Sequence, residues 1–200
     1  LRASPGLIVL GPADANEVVE AWRLVMQLTD RPVCLILTRQ AVPTLDRTRY
    51  APASGLARGA YVLADAEDGR PAVLLLGTGS EVALCVAAHE QLKKEGISSR
   101  VISMPSWEVF EHQSQEYQDE VLPPGILARV AVEEASGFGW ERYVGVGGCT
   151  IAMHCFGLSA PAKIVARRFG FEPGHIIAAA KEQIARHDTK STKSESKKGC

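Results

Sequence analysis

Ala72-Val73-Leu74-Leu75-Leu76-Gly77-Thr78-Gly79-Ser80-Glu81 decides the fold. Its first five residues are an unbroken apolar run, which suits a strand covered on both faces rather than a half-wet one. Gly77 to Ser80 then turns the chain into a segment whose apolar residues, Val82, Leu84, Cys85, Ala88 and Leu92, recur at helical spacing. Gly96 ends that helix, because glycine adopts a left-handed cap at little steric cost. Arg100-Val101-Ile102-Ser103-Met104 is the next strand. Strand, helix and strand in this order predict an α/β fold with a parallel sheet.

Working outward, Tyr61-Val62-Leu63 opens this pattern on the amino-terminal side. Downstream, Trp107, Phe110, Tyr117 and Val121 mark a partly helical region closed by Pro123-Pro124, and Arg129-Val130-Ala131-Val132-Glu133 is a further strand. Residues 137–160 are glycine-rich with no legible period. Ile176, Ile177, Ala180 and Ile184 form a final amphipathic helix. Further upstream, Leu7-Ile8-Val9-Leu10 is a short buried strand. Asp14 and Glu17 make a capping-box-like helix start. Val18, Ala21, Trp22, Val25 and Leu28 follow at helical spacing, and Val33-Cys34-Leu35-Ile36-Leu37-Thr38 is a second buried strand.

The organisation expected is a mixed, mostly parallel sheet flanked by helices over residues 59–187, preceded by a partial βαβ unit in residues 1–39. Residues 40–58, with Pro43, Pro52 and Gly55 and no apolar period, form a linker. Residues 188–200 are mostly Lys, Ser and Thr, with Asp188, Glu195 and Gly199 and no core-forming residue before Cys200, so a disordered tail is expected.

The 200 residues are 46% hydrophobic and 22% charged, the balance of a soluble globular protein. A net charge of −1 supplies no field to attract nucleic acid or a membrane surface. No apolar run reaches the ~18 residues of a membrane helix. Leu1 to Leu10 has neither the basic start nor the cleavage site of a signal peptide, and a chain opening at Leu inside a fold pattern reads as a fragment. Five widely spaced cysteines in apolar settings point to a reducing cytoplasm. Cys149, His154 and Cys155 cluster, but without a C-x-x-C pair or a fourth ligand they read as packing residues rather than a zinc site.

Arg39 is the candidate binding residue. It lies just past a predicted parallel strand, where ligands of open α/β sheets collect, and its guanidinium suits a phosphate. A surface or interface ion pair is the competing reading. Gly77-Thr78-Gly79-Ser80 offers backbone N–H groups to an anion, but lacks the lysine of a phosphate loop, so a turn capped by Thr78 or Ser80 is expected. Glu133 and Glu134 end a strand. Paired carboxylates could do acid–base work if burial raised one pKa, but adjacent strand residues face opposite ways, so one pointing outward while the other meets an arginine such as Arg142 is the structural expectation. Trp107, Phe110 and Tyr117 read as core or interface anchors. The five histidines stand apart, with no Ser, Cys or Asp arrangement suggesting a triad.

Several ordered segments together resemble transketolase from Leu7 to about His187. They are Pro12-Ala13-Asp14-Ala15-Asn16-Glu17, Thr38-Arg39-Gln40 with Pro43 and Leu45, and Gly59-Ala60-Tyr61-Val62-Leu63. Then come Gly77-Thr78-Gly79-Ser80-Glu81-Val82, Ser103-Met104-Pro105-Ser106-Trp107 and Gln113-Ser114-Gln115-Glu116-Tyr117. Phe156-Gly157-Leu158-Ser159-Ala160-Pro161 and Phe169-Gly170-Phe171 complete the set. Two departures are Leu158, where the family usually has Ala, and Gly11, where Arg is frequent.

The resemblance implies that residues 1–39 end a pyrimidine-binding domain and residues 59–187 are the carboxy-terminal domain. It implies an enzyme of the pentose phosphate pathway, a cytoplasmic homodimer. That enzyme would move a two-carbon ketol unit from a ketose phosphate to an aldose phosphate with thiamine diphosphate and Mg2+. Arg39 aligns with the family arginine that grips the sugar phosphate. The family's diphosphate and metal motif, its aminopyrimidine-activating Glu and its Gly-Asp-Gly-Pro-Thr-His segment have no counterpart here. No catalytic, cofactor or metal residue is therefore assigned, and the chain alone is expected to be inactive and to bind no cofactor. Its partners are expected to be sugar phosphates, the upstream domains and a second subunit, with apolar surface left bare for them. Val132-Glu133-Glu134 also resembles deoxyxylulose phosphate synthase and 2-oxoacid dehydrogenase E1 beta subunits. A non-catalytic folding and dimerisation module is the alternative of another class.

Overall fold

The computed structural model describes the backbone of residues 1–195 and the side chains of residues 1–188. β1 (Ile8–Leu10), α1 (Ala15–Gln27) and β2 (Val33–Leu35) form a first unit, a parallel strand pair joined by one helix. A 3-10 helix at Ala53–Arg58 leads into β3 (Tyr61–Ala64), β4 (Val73–Gly77), α2 (Glu81–Lys94) and β5 (Ser99–Ser103). α3 (Trp107–Glu111), α4 (Gln115–Val121), β6 (Arg129–Ser136) and α5 (Glu141–Val144) follow. β7 (Cys149–Met153), α6 (Ala162–Phe169) and α7 (Pro173–Glu195) complete the described chain.

The second sheet has five strands in the order β3-β5-β4-β6-β7. β3 runs antiparallel to β5, and every other pairing is parallel, as expected for a mixed, mostly parallel sheet. β4 is its centre and is buried throughout, which explains the unbroken apolar run at 73–76. Alternate residues serve two cores. Val73, Leu75, Val101, Val130 and Val132 pack under α2 and α7, where Ile176 and Ala180 are buried as their spacing requires. Leu74, Leu76, Ile102 and Ala131 face Trp107, Phe110, Trp140 and Tyr143. Each of these leucines contributes about 1.5–3 kcal/mol through burial.

Gly96 holds the left-handed cap of α2 at φ 74°, and Ile97 N–H donates to the Leu92 carbonyl at 2.9 Å. Leu84 is only partly buried, and Val86 and His89 take the buried positions instead. Ser80 does not cap α2; its hydroxyl donates to its neighbour Glu81 at 2.9 Å. The glycine-rich region that resisted reading contains α5 and β7. β7 is short and follows Gly147-Gly148, so it carries too few residues to show a period. The carboxy-terminal helix runs to Glu195, beyond the expected start of the tail at 188. Residues 196–200 lie outside the described residues.

The first unit departs more from expectation. β2 ends at Leu35 rather than Thr38, and its residues are only half-buried. Its partner stops supporting it: after Leu10, Gly11 N–H donates to the Pro105 carbonyl at 2.8 Å, and Pro12 has no N–H to offer. Ile36 N–H makes the last ladder bond, to the Leu10 carbonyl at 2.8 Å. Trp22 is 53% exposed and shares an outer face of α1 with Val19 and Met26, while Ala21, Leu24, Val25 and Leu28 face β1. The segment 40–58 is mostly exposed or half-buried, with Ala53 and Leu56 buried. No helix of the described residues is long and apolar enough to cross a membrane.

Candidate functional site

Arg39 lies in the irregular segment that follows β2, beyond the carboxyl ends of the parallel pair β1–β2. Its side chain is exposed, and it makes no hydrogen bond or ion pair among the described residues. Of the competing reading, a surface or interface ion pair, no pairing within the chain is seen among the described residues. A solvated, unpaired guanidinium keeps all its donors for an anionic ligand.

The segment is fastened at both ends. Upstream is the ladder bond of Ile36. Downstream, Leu45 N–H donates to Asp14 Oδ2 at 2.9 Å and the Leu45 carbonyl accepts from Asn16 Nδ2 at 3.1 Å. Asp14 is the N-cap of α1 and accepts from Glu17 N–H at 2.9 Å, as the capping signal predicts. It also accepts from Arg47 Nη2 at 3.0 Å, and Arg47 Nη1 in turn reaches the Tyr61 hydroxyl at 2.9 Å and the Ala51 carbonyl at 3.0 Å. Glu17 completes the network. Its carboxylate accepts from Ala13 N–H, the Tyr61 hydroxyl and the Ser103 hydroxyl at 2.7–2.8 Å. Burial raises the Glu17 pKa against those three hydrogen bonds and the Arg47 charge. Burial, with the Glu17 charge beside it, likewise pushes the Tyr61 hydroxyl up. These groups tie α1, the linker and the second sheet together.

A cleft of about 570 Å³ opens where the two sheets meet, beside the same segment. Ile36, Leu37 and Thr38 form one wall, and the β4–α2 turn with Glu133 and Glu134 forms the other. The seam beneath it is bonded: Gly79 N–H donates to the Gly11 carbonyl at 3.0 Å, and Val9 N–H to Glu108 Oε2 at 3.2 Å. Arg2 pairs with Glu133, donates to Thr78 Oγ1 at 3.2 Å and lies 4.4 Å from the centroid of the Trp107 ring. Trp140 Nε1 donates to the same Glu133 oxygen at 3.3 Å. Glu133 thus meets Arg2, not Arg142, which pairs with Glu111. Glu134 is more exposed than Glu133, but both line the cleft; the expected alternation fails here because the pairing with β7 shifts register between Glu133 and Ser136.

Glu81 is the unusual group in this cleft. Burial, reinforced by the Glu134 carboxylate, pushes its pKa up to about 8, although its own amide and the Ser80 hydroxyl pull it down. Burial and Glu133 raise Glu134 as well. With Gly79 N–H committed to the Gly11 carbonyl and the Glu134 carboxyl on the facing wall, the turn at 77–80 is poorly suited to an anion.

The residues described do not fit thiamine diphosphate or its metal. No group of three or more His, Cys, Asp or Glu among them could hold a metal ion, and Cys149, His154 and Cys155 form none. Arg2, which lines the cleft, is committed to Glu133 and is not free to hold a diphosphate. Glu133 is occupied by Arg2 and Trp140, and Glu17 is fully enclosed, so neither can serve an aminopyrimidine ring.

Sequence reasoning named Arg39 as a candidate and Asp14 as a cap; it did not single out Arg2, Arg47, Glu17 as a buried group, or Glu81. The paired helix-start residues Asp14 and Glu17 were the available signal. Their second partners come from residues 31 and 44 positions away, across the linker.

The chain matches the family described as the transketolase-like TK C-terminal domain over residues 59–172. It is 48% identical over 186 residues to a transketolase of Geobacillus stearothermophilus, covering 93% of this chain and 28% of that protein. Against a transketolase of Halalkalibacterium halodurans it is 50% identical over 181 residues, covering 90% and 27%. A Pichia stipitis transketolase solved in complex with sedoheptulose-7-phosphate superposes with a TM-score of 0.85 at 32% identity, over 94% of this chain and 26% of that one. The chain therefore spans little more than a quarter of the relatives it matches. With a family match over more than half its length, an ordered set of shared motifs and the same mixed sheet, the chain belongs to the transketolase family.

Proposed function

We propose that this chain is the carboxy-terminal part of a transketolase that moves a two-carbon ketol unit from a ketose phosphate to an aldose phosphate in the cytoplasm. Residues 1–39 end its pyrimidine-binding domain, 40–58 are the linker and 59–187 the carboxy-terminal domain. Thiamine diphosphate and Mg2+ are held by other parts of the enzyme, supplying the carbanion chemistry. The bare apolar residues Trp22, Met26, Phe138 and Phe156 face those parts and a second subunit. The chain by itself then transfers no ketol unit.

The observation that carries this reading is the exposed, unpaired Arg39 beyond the carboxyl ends of β1 and β2. There it holds the phosphate of a sugar and orients the reacting carbons without taking part in proton transfer. The sugar phosphate bound in the Pichia stipitis relative supports this substrate class. The test is Arg39→Ala in the intact enzyme. Loss of a charge-assisted contact costs about 2–4 kcal/mol in kcat/KM for phosphorylated donors, roughly 30- to 1,000-fold. The loss for an unphosphorylated two-carbon donor is far smaller. Equal losses for both donors would remove Arg39 from the phosphate site.

A further inference from the structure

We propose that Asp14 is a positioning residue for substrate phosphate, acting through the segment that carries Arg39. This rests on the reading of Arg39 given above. Between Ile36 and Leu45 the chain has no regular structure, so its placement depends on its two fastenings. The upstream one is a ladder bond of β2. The downstream one is Asp14, whose side chain is fully enclosed.

An N-cap needs one acceptor for one helix N–H. Asp14 does more than that. Oδ1 accepts from Glu17 N–H at 2.9 Å and from Arg47 Nη2 at 3.0 Å. Oδ2 accepts from Leu45 N–H at 2.9 Å and from Asn16 Nδ2 at 3.4 Å. Asn16 uses the same amide to hold the Leu45 carbonyl at 3.1 Å. Both backbone polar groups of Leu45 are thus bound by the first turn of α1. Arg47, the charged partner of Asp14, is itself held by Tyr61 and the Ala51 carbonyl. The second sheet therefore fixes, through Arg47 and Asp14, where the Arg39 segment returns to the fold. An exposed arginine on a loop binds a phosphate well only if the loop backbone is placed beforehand, since ordering it at each encounter reduces affinity. A misplacement near 1 Å can cost about a hundredfold in rate.

The experiment uses the intact enzyme and four variants: Asp14→Asn, Asn16→Ala, Arg39→Ala and the double variant Asp14→Asn/Arg39→Ala. Asp14→Asn keeps the shape and, with its oxygen in the place of Oδ1, the cap; its amide nitrogen then faces the Leu45 N–H that Oδ2 had accepted, and the charged link to Arg47 is weakened. Asn16→Ala removes the hold on the Leu45 carbonyl and the longer contact to Asp14 Oδ2, leaves the Leu45 N–H bond to Asp14 in place, and remains informative if Asp14→Asn fails to fold. KM and kcat are measured for a phosphorylated ketose and for an unphosphorylated two-carbon donor, with thermal melting as a check on folding. Asp14→Asn is expected to raise KM for the phosphorylated donor about tenfold, and Asn16→Ala about threefold. Neither should raise KM for the unphosphorylated donor comparably. In the Arg39→Ala background Asp14→Asn should add little, because the group it positions is gone.

A selective loss in Arg39→Ala, with equal effects of Asp14→Asn and Asn16→Ala on both donors, would overturn the positioning role and leave Arg39 in place. Full additivity of Asp14→Asn and Arg39→Ala would do the same. No selective loss in Arg39→Ala overturns both.

Discussion

Replacing Glu81 with Gln should make the protein more stable in alkali while changing little in acid. Glu81 opens α2 at the floor of the cleft, where burial and the neighbouring Glu134 hold its pKa near 8. The helix N-terminus favours the ionised form, but burial outweighs it. A carboxyl that titrates near 8 in the fold and at 4.5 when unfolded binds more proton in the native state between those values. Stability from this group is then fully present below about pH 4.5 and is lost as pH rises through about 8, by about 4–5 kcal/mol in all. That is a large share of the roughly 5–15 kcal/mol typical of a domain. Gln is neutral throughout and keeps an acceptor for the Ser80 hydroxyl.

The assay is urea unfolding followed by tryptophan fluorescence, since Trp107 and Trp140 are buried, at intervals from about pH 5 to 9, which brackets the native titration. The quantity to plot is the stability difference between Glu81→Gln and wild type. It should be near zero at the acid end and climb by several kcal/mol at the alkaline end. Subtraction matters because other groups titrate in the window. Glu17 and Glu134 are raised and add slopes of the same sign. His89 is lowered by burial, so its contribution runs the other way and is lost as pH falls below 6.5. A difference that stays flat across the whole range would show that Glu81 ionises freely in the fold, and the account of the cleft would be wrong.

Two further substitutions test the seam and the packing. Gly59 has φ 81°, and a Cβ there would run into the Phe110 amide nitrogen and lie 2.6 Å from the Ser106 carbonyl oxygen. Gly59→Ala should therefore destabilise by about 3 kcal/mol or more, read from the urea midpoint. Arg2→Ala strands the Glu133 carboxylate against Trp140. It should cost about 3 kcal/mol, and adding Glu133→Gln should return part of that; no recovery in the double variant would mean that Arg2 acts by packing on Trp107 alone.

Most of the second unit was legible because local signals and tertiary demands agree there. The run at 73–76 is apolar because β4 is covered on both faces, and Gly96 is glycine because the cap of α2 is left-handed. Legibility failed where a residue's partner is distant. The apolar run from Val33 to Leu37 cannot say that β2 will stop at Leu35, because the stop comes from Gly11 turning toward Pro105 in the other unit. Trp22 fits the helical period of α1 yet lies on its outer face, since the apolar set of this helix spans more arc than β1 can cover. β7 has five residues, too few for a period to show against flanking glycines. At the candidate site Arg39 was named as a candidate from its place after a strand and from family resemblance. Asp14 was seen only as a cap, because its bonds to Leu45 and Arg47 cross the linker.

The charges around the seam follow a division of labour that physical cost explains. Asp14, Glu17 and Glu133 are buried acids, and each is given several hydrogen bonds or an arginine, as enclosed polar groups require. Arg47 and Arg2 are committed to those acids and cannot also serve a ligand. Among the described residues Arg39 joins none of these pairings and is exposed, where an unpaired guanidinium costs little. An arginine already neutralised by a carboxylate would have to break that pair before holding a phosphate. The fold therefore uses its buried acids to fix the loop and leaves the loop's own arginine free, which is the arrangement that phosphate binding by Arg39 needs.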